Sequence, residues 1–219
     1  MIKINYVAQS ITALTALESE DDLLCRVGHI AGECYNSSRD ADACIKRALN
    51  CIARGHHSPW EHVNITLSCV MDRGTSHAVV RHRHCAFQQS STIYQKYDKD
   101  TLDIVQLPKV DPYTNKVYTI ANEFENTEAY YIQCYNVYKQ LLDAGSPPHR
   151  ARDVLPNSLA TTLIITTNFR EFMYIIKRRC GPGDAIRMHV FATQLYMFFK
   201  KYYPRITEAF DKWYEEHPL

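Results

Sequence analysis

With 219 residues, the chain has enough length for one domain of ordinary size or two small ones. An apolar content of 46% and a charged content of 22% are typical of a globular protein. The formal net charge of +1 excludes a strong overall attraction to nucleic acid or to an anionic membrane. Any phosphate binding must therefore come from a local group of arginines.

The cysteines and the apolar runs indicate the compartment in which the protein works. Eight cysteines occur without a Cys-x-x-Cys pair, so we interpret them as reduced thiols and not as a disulfide framework. No apolar run approaches the ~20 residues that span a bilayer, and the first residues lack the apolar segment of a signal peptide. We therefore expect a cytoplasmic protein without a membrane partner.

The first quarter of the chain predicts one strand and two helices. Apolar and polar residues alternate over residues 2–8, which is the pattern of a strand. Ser19 precedes three acidic residues and an apolar run, a typical helix start, and this helix is expected to reach about residue 35. A second helix is predicted from Asp40 to about residue 54, where Gly55 ends it.

Three histidines and a glutamate follow within seven residues, at His56, His57, His62 and Glu61. This density suggests a zinc site, but Pro59 interrupts the helix that would place two histidines on one face, so we predict no metal site. The simpler interpretation is a polar turn that leads into a strand. That strand is predicted over residues 62–72, where apolar and polar residues alternate.

A short helix from about residue 74 leads to the densest group of cationic side chains, Arg81, His82, Arg83 and His84. Hydroxyl and amide side chains follow as far as residue 92. A planar guanidinium fork gives two parallel charge-assisted bonds to phosphate, so this segment predicts an anion site. The alternative is a helix C-terminus whose cations complement the helix dipole.

The second half of the chain predicts two further strands and four helical segments. The strands are predicted at residues 102–107 and 159–168, and the helical segments at residues 113–143, 150–156, 168–179 and 185–203. A short segment at residues 206–210 closes the chain. Asn168 is a good N-cap residue, so a purely structural role also fits it.

Two arginines of one predicted helix suggest how the chain assembles. Arg170 and Arg179 lie nine residues apart. At ~100° per residue they are separated by ~900°, which puts them on opposite faces of the helix. A single chain could then not easily bring both arginines to one ligand. We therefore predict sites that are built between chains.

Four segments of the chain match the signature segments of one protein family, in the same order, and the likeness spans roughly residues 30–210. They are Gly-His-x-Ser-Pro-x-Glu-His at 55–62, Arg-His-Arg at 81–83 with Ser91 after seven intervening residues, Ala-Arg-x-Val-Leu-Pro at 151–156 and Asn-x-Arg at 168–170. Together they resemble the signatures of the flavin-dependent thymidylate synthases. The resemblance implies one domain over residues 1–219, with an α+β fold in which long helices flank a central antiparallel-type β-sheet.

The resemblance also implies a reaction and its cofactors. In this family, reduced FAD relays a one-carbon unit from 5,10-methylenetetrahydrofolate to C5 of dUMP and then supplies the hydride that gives dTMP. NADPH first reduces the flavin. The cofactors carry the hard chemistry, and the protein supplies placement and electrostatics. Family members are homotetramers whose active sites are shared by several chains, so the same assembly is expected here.

Matching residue by residue assigns the expected site. The cofactor-binding residues would be His56, Ser58, Arg81, His82, Arg83, Gln89, Asn168 and Arg170. The substrate-binding residues would be Arg81, Gln89, Ser90, Ser91, Arg152 and Arg179. Arg179 is the expected catalytic residue, because a guanidinium beside the uracil ring would stabilise negative charge at N3 and O4 and make C5 nucleophilic.

The chain departs from the family pattern in the segment after residue 83. The first Ser of that pattern is Ala86, its Asn-Glu pair is Gln88-Gln89, and an arginine that binds the substrate phosphate is Ile93. Losing one charge-assisted phosphate contact costs about 1.5–3 kcal/mol, so either Lys96 or Arg152 substitutes or the substrate differs. The loop after Arg179 is also shorter than usual. Two alternatives stay open: modification of UMP or dCMP, and flavin binding without methylation.

Overall fold

The computed structural model describes residues 3–97, 100–106, 121–181 and 183–218, with the side chains of the fourth helix described from Thr127 onward. The strands are β1 (Lys3–Val7), β2 (Ser10–Ala13), β3 (Asn64–Asp72), β4 (Ala86–Gln89), β5 (Thr101–Val105) and β6 (Ala160–Asn168). The helices are α1 (Glu20–Gly32), α2 (Ala41–Ala53), α3 (Arg73–Val79), α4 (Ala121–Asp143), α5 (Pro148–Ala151), α6 (Phe169–Arg179), α7 (Ile186–Tyr202) and α8 (Pro204–Glu216). Short 3₁₀ turns lie at Glu33–Tyr35, Ser58–His62 and Arg152–Val154.

The central sheet is antiparallel and has the strand order β2-β3-β6-β4. Its two long strands, β3 and β6, pair along their whole length, from Asn64 opposite Asn168 to Asp72 opposite Ala160. Buried residues alternate with less buried ones along both strands, because successive side chains of a strand point to opposite faces. A separate parallel pair joins β1 to β5.

The main core contains a group of aromatic rings at the point where β6 becomes α6. The ring centroid of Phe169 lies 5.0 Å from that of Phe199 and 5.5 Å from that of Trp60. The backbone N–H of Phe169 also donates to the carbonyl of Val63 at 2.8 Å. These contacts fix the junction between strand and helix, and so they position the polar residues on either side of Phe169.

A smaller core joins α4 to the parallel strand pair. Its buried members are Ile4, Leu102, Ile104, Tyr131, Tyr135 and Leu159. Leu159 directly precedes β6 and also forms an isolated bridge with Ile104, so the parallel pair is tied to the start of β6. Within the described ranges, no helix combines the length and the apolar character that crossing a bilayer requires. All eight cysteines are free thiols, as expected.

The structure confirms the predicted α+β class and the antiparallel central sheet between helices. It corrects three details of the prediction. Residues 86–89, which were expected to be loop, form β4; the short strand β2 was not predicted; and residues 206–210 lie inside the longer helix α8. Of the predicted elements, Ile2, Leu107 and residues 113–120 lie outside the described residues.

Candidate active site

The cationic segment Arg81–His84 is held between a capped helix and the central sheet. Asp72 caps α3 by accepting hydrogen bonds from the backbone N–H of Thr75 at 2.9 Å and from its hydroxyl at 2.6 Å. The far end of the segment is fixed by the Thr167 hydroxyl, which donates to the carbonyl of His84 at 2.6 Å. Arg81 and Arg83 are exposed, whereas His82 is buried between them.

The helix α6 supplies the other side of the site. Asn168 is its N-cap, since its side-chain oxygen accepts from the backbone N–H of Glu171 at 2.9 Å. This confirms the structural interpretation of Asn168 without removing it from the site, because the residue also borders the cavity described next. Arg179 is the last residue of the helix.

A cavity of about 770 Å³ lies between the cationic segment and α6. Five arginines and two glutamates border it, which gives a formal charge of +3 when the histidines are neutral. Its lining residues are His57, Glu61, Arg81, His82, Arg83, His84, Asn168, Arg170, Glu171, Tyr174, Arg178, Arg179 and Tyr214. The cavity therefore contains a local cluster of arginines. A chain whose net charge is near zero needs such a cluster to bind an anion.

Arg179 connects the two sides of this cavity. Its Nε donates to Nε2 of His82 at 3.1 Å, and its Nη1 donates to Oδ1 of Asp184 at 3.1 Å. Its Nη2 has no hydrogen-bond partner within the part of the chain that the structure describes. The other ring nitrogen of His82, Nδ1, lies 3.4 Å from Oε1 of Glu171.

We expected that one chain could not easily bring Arg170 and Arg179 to one ligand, and the structure removes the geometric basis of that expectation. Both arginines border the same cavity. Nine residues advance about 13 Å along a helix axis, and the cavity extends along that axis because the cationic segment packs beside α6. The angle of ~900° describes Cβ directions, whereas a long guanidinium side chain at the helix end can reach sideways, as Arg179 does to His82.

Arg170 is held at the opposite end of α6. Its Nη1 forms an ion pair with Oε1 of Glu61, which lies in the 3₁₀ turn Ser58–His62. Both side chains are about half exposed, at 50% and 47%, so solvent screens this pair. The contact places the turn against the start of α6 and leaves the remaining donors of Arg170 available to the cavity.

His56 and Ser58 do not border this cavity but line a second one, of about 950 Å³, beside it. His57 and Arg170 border both cavities, so the two form adjoining spaces. His57 is buried, with its Nε2 3.3 Å from the carbonyl of Ile52 and its ring 4.4 Å from that of Trp213. Burial lowers the pKa of His57 and favours its neutral form. Among the described residues, no group of three or more His, Cys, Asp or Glu side chains could hold a metal ion.

The remaining predicted residues lie at the other end of β4, outside both cavities. Gln89 donates through Nε2 to the hydroxyls of Ser76 at 2.8 Å and Thr161 at 3.3 Å. The backbone N–H of Ser90 donates to the carbonyl of Thr162 at 2.9 Å, and the Ser91 hydroxyl accepts from the backbone N–H of Ile93 at 3.1 Å. Arg152 donates through Nη1 to the hydroxyl of Thr92 at 3.2 Å. We call Gln89–Ile93 together with Arg152 the β4-end group.

Several lining residues escaped prediction. Glu171, Tyr174 and Arg178 follow Arg170 at intervals of one, four and eight residues, which places them along one side of a helix. That spacing is a signal that the sequence does contain. Tyr214 and Asp184 carry no such signal, because their approach depends on how α8 and the loop before α7 pack.

Comparison with known proteins shows relatives along most of the chain. Residues 14–205 match the family model of the thymidylate synthase complementing protein. A flavin-dependent thymidylate synthase from Geobacter sulfurreducens is 29% identical over 171 residues, which cover 78% of this chain and 69% of that protein. One from Saccharolobus solfataricus is 30% identical over 71% of this chain and 56% of its own length. One from Halobacterium salinarum is 24% identical over 92% of this chain and 94% of its own length.

Two solved structures share the fold. The UMP/dUMP methylase PolB from Streptomyces cacaoi, bound with 5-Br dUMP, superposes with a TM-score of 0.77 at 21% identity, covering 96% of this chain and 97% of the other. The same protein bound with 5-Br UMP gives a TM-score of 0.71 at 19% identity, covering 97% of each chain. Since the family match also spans the cationic segment and both arginines of α6, the chain belongs to the flavin-dependent thymidylate synthases, a family of flavin-using methyltransferases.

Proposed function

We propose that this chain, acting as one domain, methylates C5 of dUMP to give dTMP. The proposal includes 5,10-methylenetetrahydrofolate as one-carbon donor, FAD as the flavin and NADPH as reductant. The observation that carries it is the cavity of five arginines, in which Nη2 of Arg179 has no hydrogen-bond partner among the described residues. Arg179 is the proposed catalytic residue, because its charge would stabilise the electron-rich uracil ring.

The residues of the cavity fit a flavin dinucleotide. Its diphosphate needs several cations close together, and Arg81, Arg83 and Arg170 supply guanidinium forks around one space. His82 and Asn168 add polar groups there, while His56 and Ser58 would meet the cofactor from the adjoining cavity. When bound, the flavin supplies the redox chemistry of the reaction. The chain's own part is to bind it, orient it and exclude water.

The β4-end group is proposed to hold the nucleotide as part of a shared site. Gln89, Ser90, Ser91 and Arg152 lie together, but they do not border the arginine-lined cavity of their own chain. β4 lies at the edge of the sheet and separates the two groups by its length of four residues. A homotetramer in which one chain supplies the cavity and another supplies the β4-end group would unite them.

Mixing two inactive variants tests this assembly. Chains with Arg179→Ala and chains with Arg152→Ala are each expected to lose turnover. If the two arginines of one site come from different chains, refolded mixtures recover activity in about a quarter of their sites. No recovery, or a monomer by light scattering that is nevertheless active, would contradict the shared site.

A second candidate substrate is UMP. It is favoured by the likeness to a methylase whose structures hold 5-Br dUMP and 5-Br UMP, and by Ile93 in place of a phosphate-binding arginine. The 2′-hydroxyl is what distinguishes the two nucleotides, so the choice rests on contacts to the ribose.

A substrate panel tests the proposed function directly. Protein purified with bound flavin is supplied with methylenetetrahydrofolate, NADPH and the 5-tritiated forms of dUMP, UMP and dCMP, and tritium release is measured. Release from dUMP supports the proposal, whereas release only from UMP or dCMP assigns a different nucleotide. Flavin binding without any release assigns a flavin protein that has lost methylation. The eight free thiols support a cytoplasmic site of action, which cell fractionation would test.

A further inference from the structure

Four side chains form a continuous chain of polar contacts along the wall of the cavity, three of them as lining residues. They run from Glu171 to His82, from His82 to Arg179, and from Arg179 to Asp184, with atom distances of 3.4, 3.1 and 3.1 Å. Each of the four side chains is less than 20% exposed. Charged groups at this depth need partners, and the order of contacts provides one for each member.

The hydrogen bond from Arg179 indicates which of its two ring nitrogens His82 leaves unprotonated. The Nε of an arginine is always a donor, so Nε2 of His82 must accept and cannot carry a proton. These contacts fit the tautomer whose proton is on Nδ1, the nitrogen that faces Oε1 of Glu171. A glutamate at this third position of a helix commonly turns back to the N-cap residue. Here the Glu171 carboxylate faces His82 instead.

The same contacts restrict Arg179. Its Nε donates a hydrogen bond to His82, and its Nη1 donates one to Asp184. Only Nη2 has no partner within the described residues. Asp184 reaches Arg179 across five positions of sequence, from the loop that joins α6 to α7. A side chain held at two points keeps one rotamer, so its free donor points in a constant direction.

We propose that Glu171 and Asp184 are positioning residues for Arg179. Asp184 holds the guanidinium directly, and Glu171 acts through His82 by favouring the tautomer whose Nε2 accepts the hydrogen bond from Nε of Arg179. This inference rests on the proposed catalytic role of Arg179. It assigns the two carboxylates a part in turnover, although neither is proposed to touch the substrate.

The first test compares alanine variants with a conservative one. Glu171→Ala and Asp184→Ala are each expected to lower kcat about 10-fold or more while KM for dUMP changes less than about threefold, because they disturb a group that acts in the transition state. Glu171→Gln keeps an acceptor for the Nδ1 proton and should recover kcat to within about threefold of wild type. Glu208→Gln removes an exposed carboxylate on α8 and serves as the charge-matched control.

Two outcomes of this test would overturn the inference. One is a kcat of both alanine variants equal to that of wild type. The other is a loss of kcat that only follows a parallel loss of flavin content or of folded protein, since a purely structural role would produce it. Flavin absorbance and circular dichroism of each variant separate these cases from a true kinetic effect.

The second test reads the tautomer and does not need activity. In protein labelled with ¹⁵N-histidine, the His82 signals are identified by their loss in His82→Gln. At about pH 8, wild type should show the neutral Nδ1–H form, and Glu171→Ala should lose that preference. An Nε2–H form or an imidazolium in wild type would overturn the inference. A wild type that shows the expected tautomer but no turnover would refute the proposed function alone.

Discussion

Replacing Ile93 with arginine should restore a phosphate contact and lower KM for dUMP. Ile93 is 42% exposed and lies in the turn after β4, next to Thr92, which is bonded to Arg152. A guanidinium at position 93 would therefore lie one residue along the chain from the contact that Arg152 makes. This is the place where the proposed nucleotide site needs cationic charge.

The expected size of the effect follows from one charge-assisted hydrogen bond. Such a bond contributes about 1.5–3 kcal/mol, and the lower end applies because the position is exposed and screened. At about 1.4 kcal/mol per decade, this corresponds to a KM roughly 10-fold lower. kcat should move little, because the phosphate contact is equally strong in the ground and transition states.

Initial rates of tritium release over a range of dUMP concentrations measure both constants. Ile93→Gln is the matched control, since it has a polar side chain of similar reach without charge. If arginine and glutamine lower KM equally, polarity and not charge would be responsible. An unchanged KM in Ile93→Arg would refute the reasoning and show that this turn does not face the substrate phosphate.

Three further outcomes are expected. Arg179→Ala should abolish turnover while flavin absorbance stays, because Arg81, Arg83 and Arg170 still border the cavity. Asp72→Ala should lower the free energy of unfolding by about 1–2 kcal/mol in a urea titration, since it removes a buried double cap, and by more than Asp40→Ala, which removes one exposed cap bond of α2. Burial raises the pKa of both Tyr203 and Tyr214 from 10 to about 12. Their protonated forms are thus favoured in the folded state, so stability should be intact below about pH 10 and fall as the pH rises toward 12, with phenolate absorbance appearing late.

The sequence predicted the two long strands of the central sheet and missed the two short strands at its edges. β3 was predicted from the alternation of apolar and polar residues, and β6 from its many β-branched residues. β4 has glutamines at two of its four positions and no apolar alternation, so its strand state comes from pairing with β6, where Ala86 lies opposite Thr166. Such pairing is tertiary information, and no local pattern contains it.

Residues of the candidate site could be predicted from the sequence where they lie in segments with a dense group of cations or a likeness to a known family. Arg81, His82 and Arg83 were identified by density, and Arg170 and Arg179 by resemblance, and the structure brings all five to one cavity. The contacts among them were not predictable. They depend on α6 packing beside the cationic segment, which allows side chains from separate parts of the chain to meet.

The substitutions identified in the segment after residue 83 lie on β4 or in the turn that follows it. Ala86, Gln88-Gln89 and Ile93 belong to an edge strand and an exposed turn, where a substitution disturbs little of the core. The cavity arginines are constrained differently. Arg179 and Arg170 are tied to carboxylates, so losing one partner would leave an uncompensated charge, at greatest cost where the pair is buried. A substitution is therefore expected to cost less folding stability in the β4-end group, which is proposed to hold the nucleotide, than at Arg179, which is proposed to activate the ring. Divergence of this chain should accordingly appear first in which pyrimidine nucleotide it prefers, and only later in the chemistry at C5.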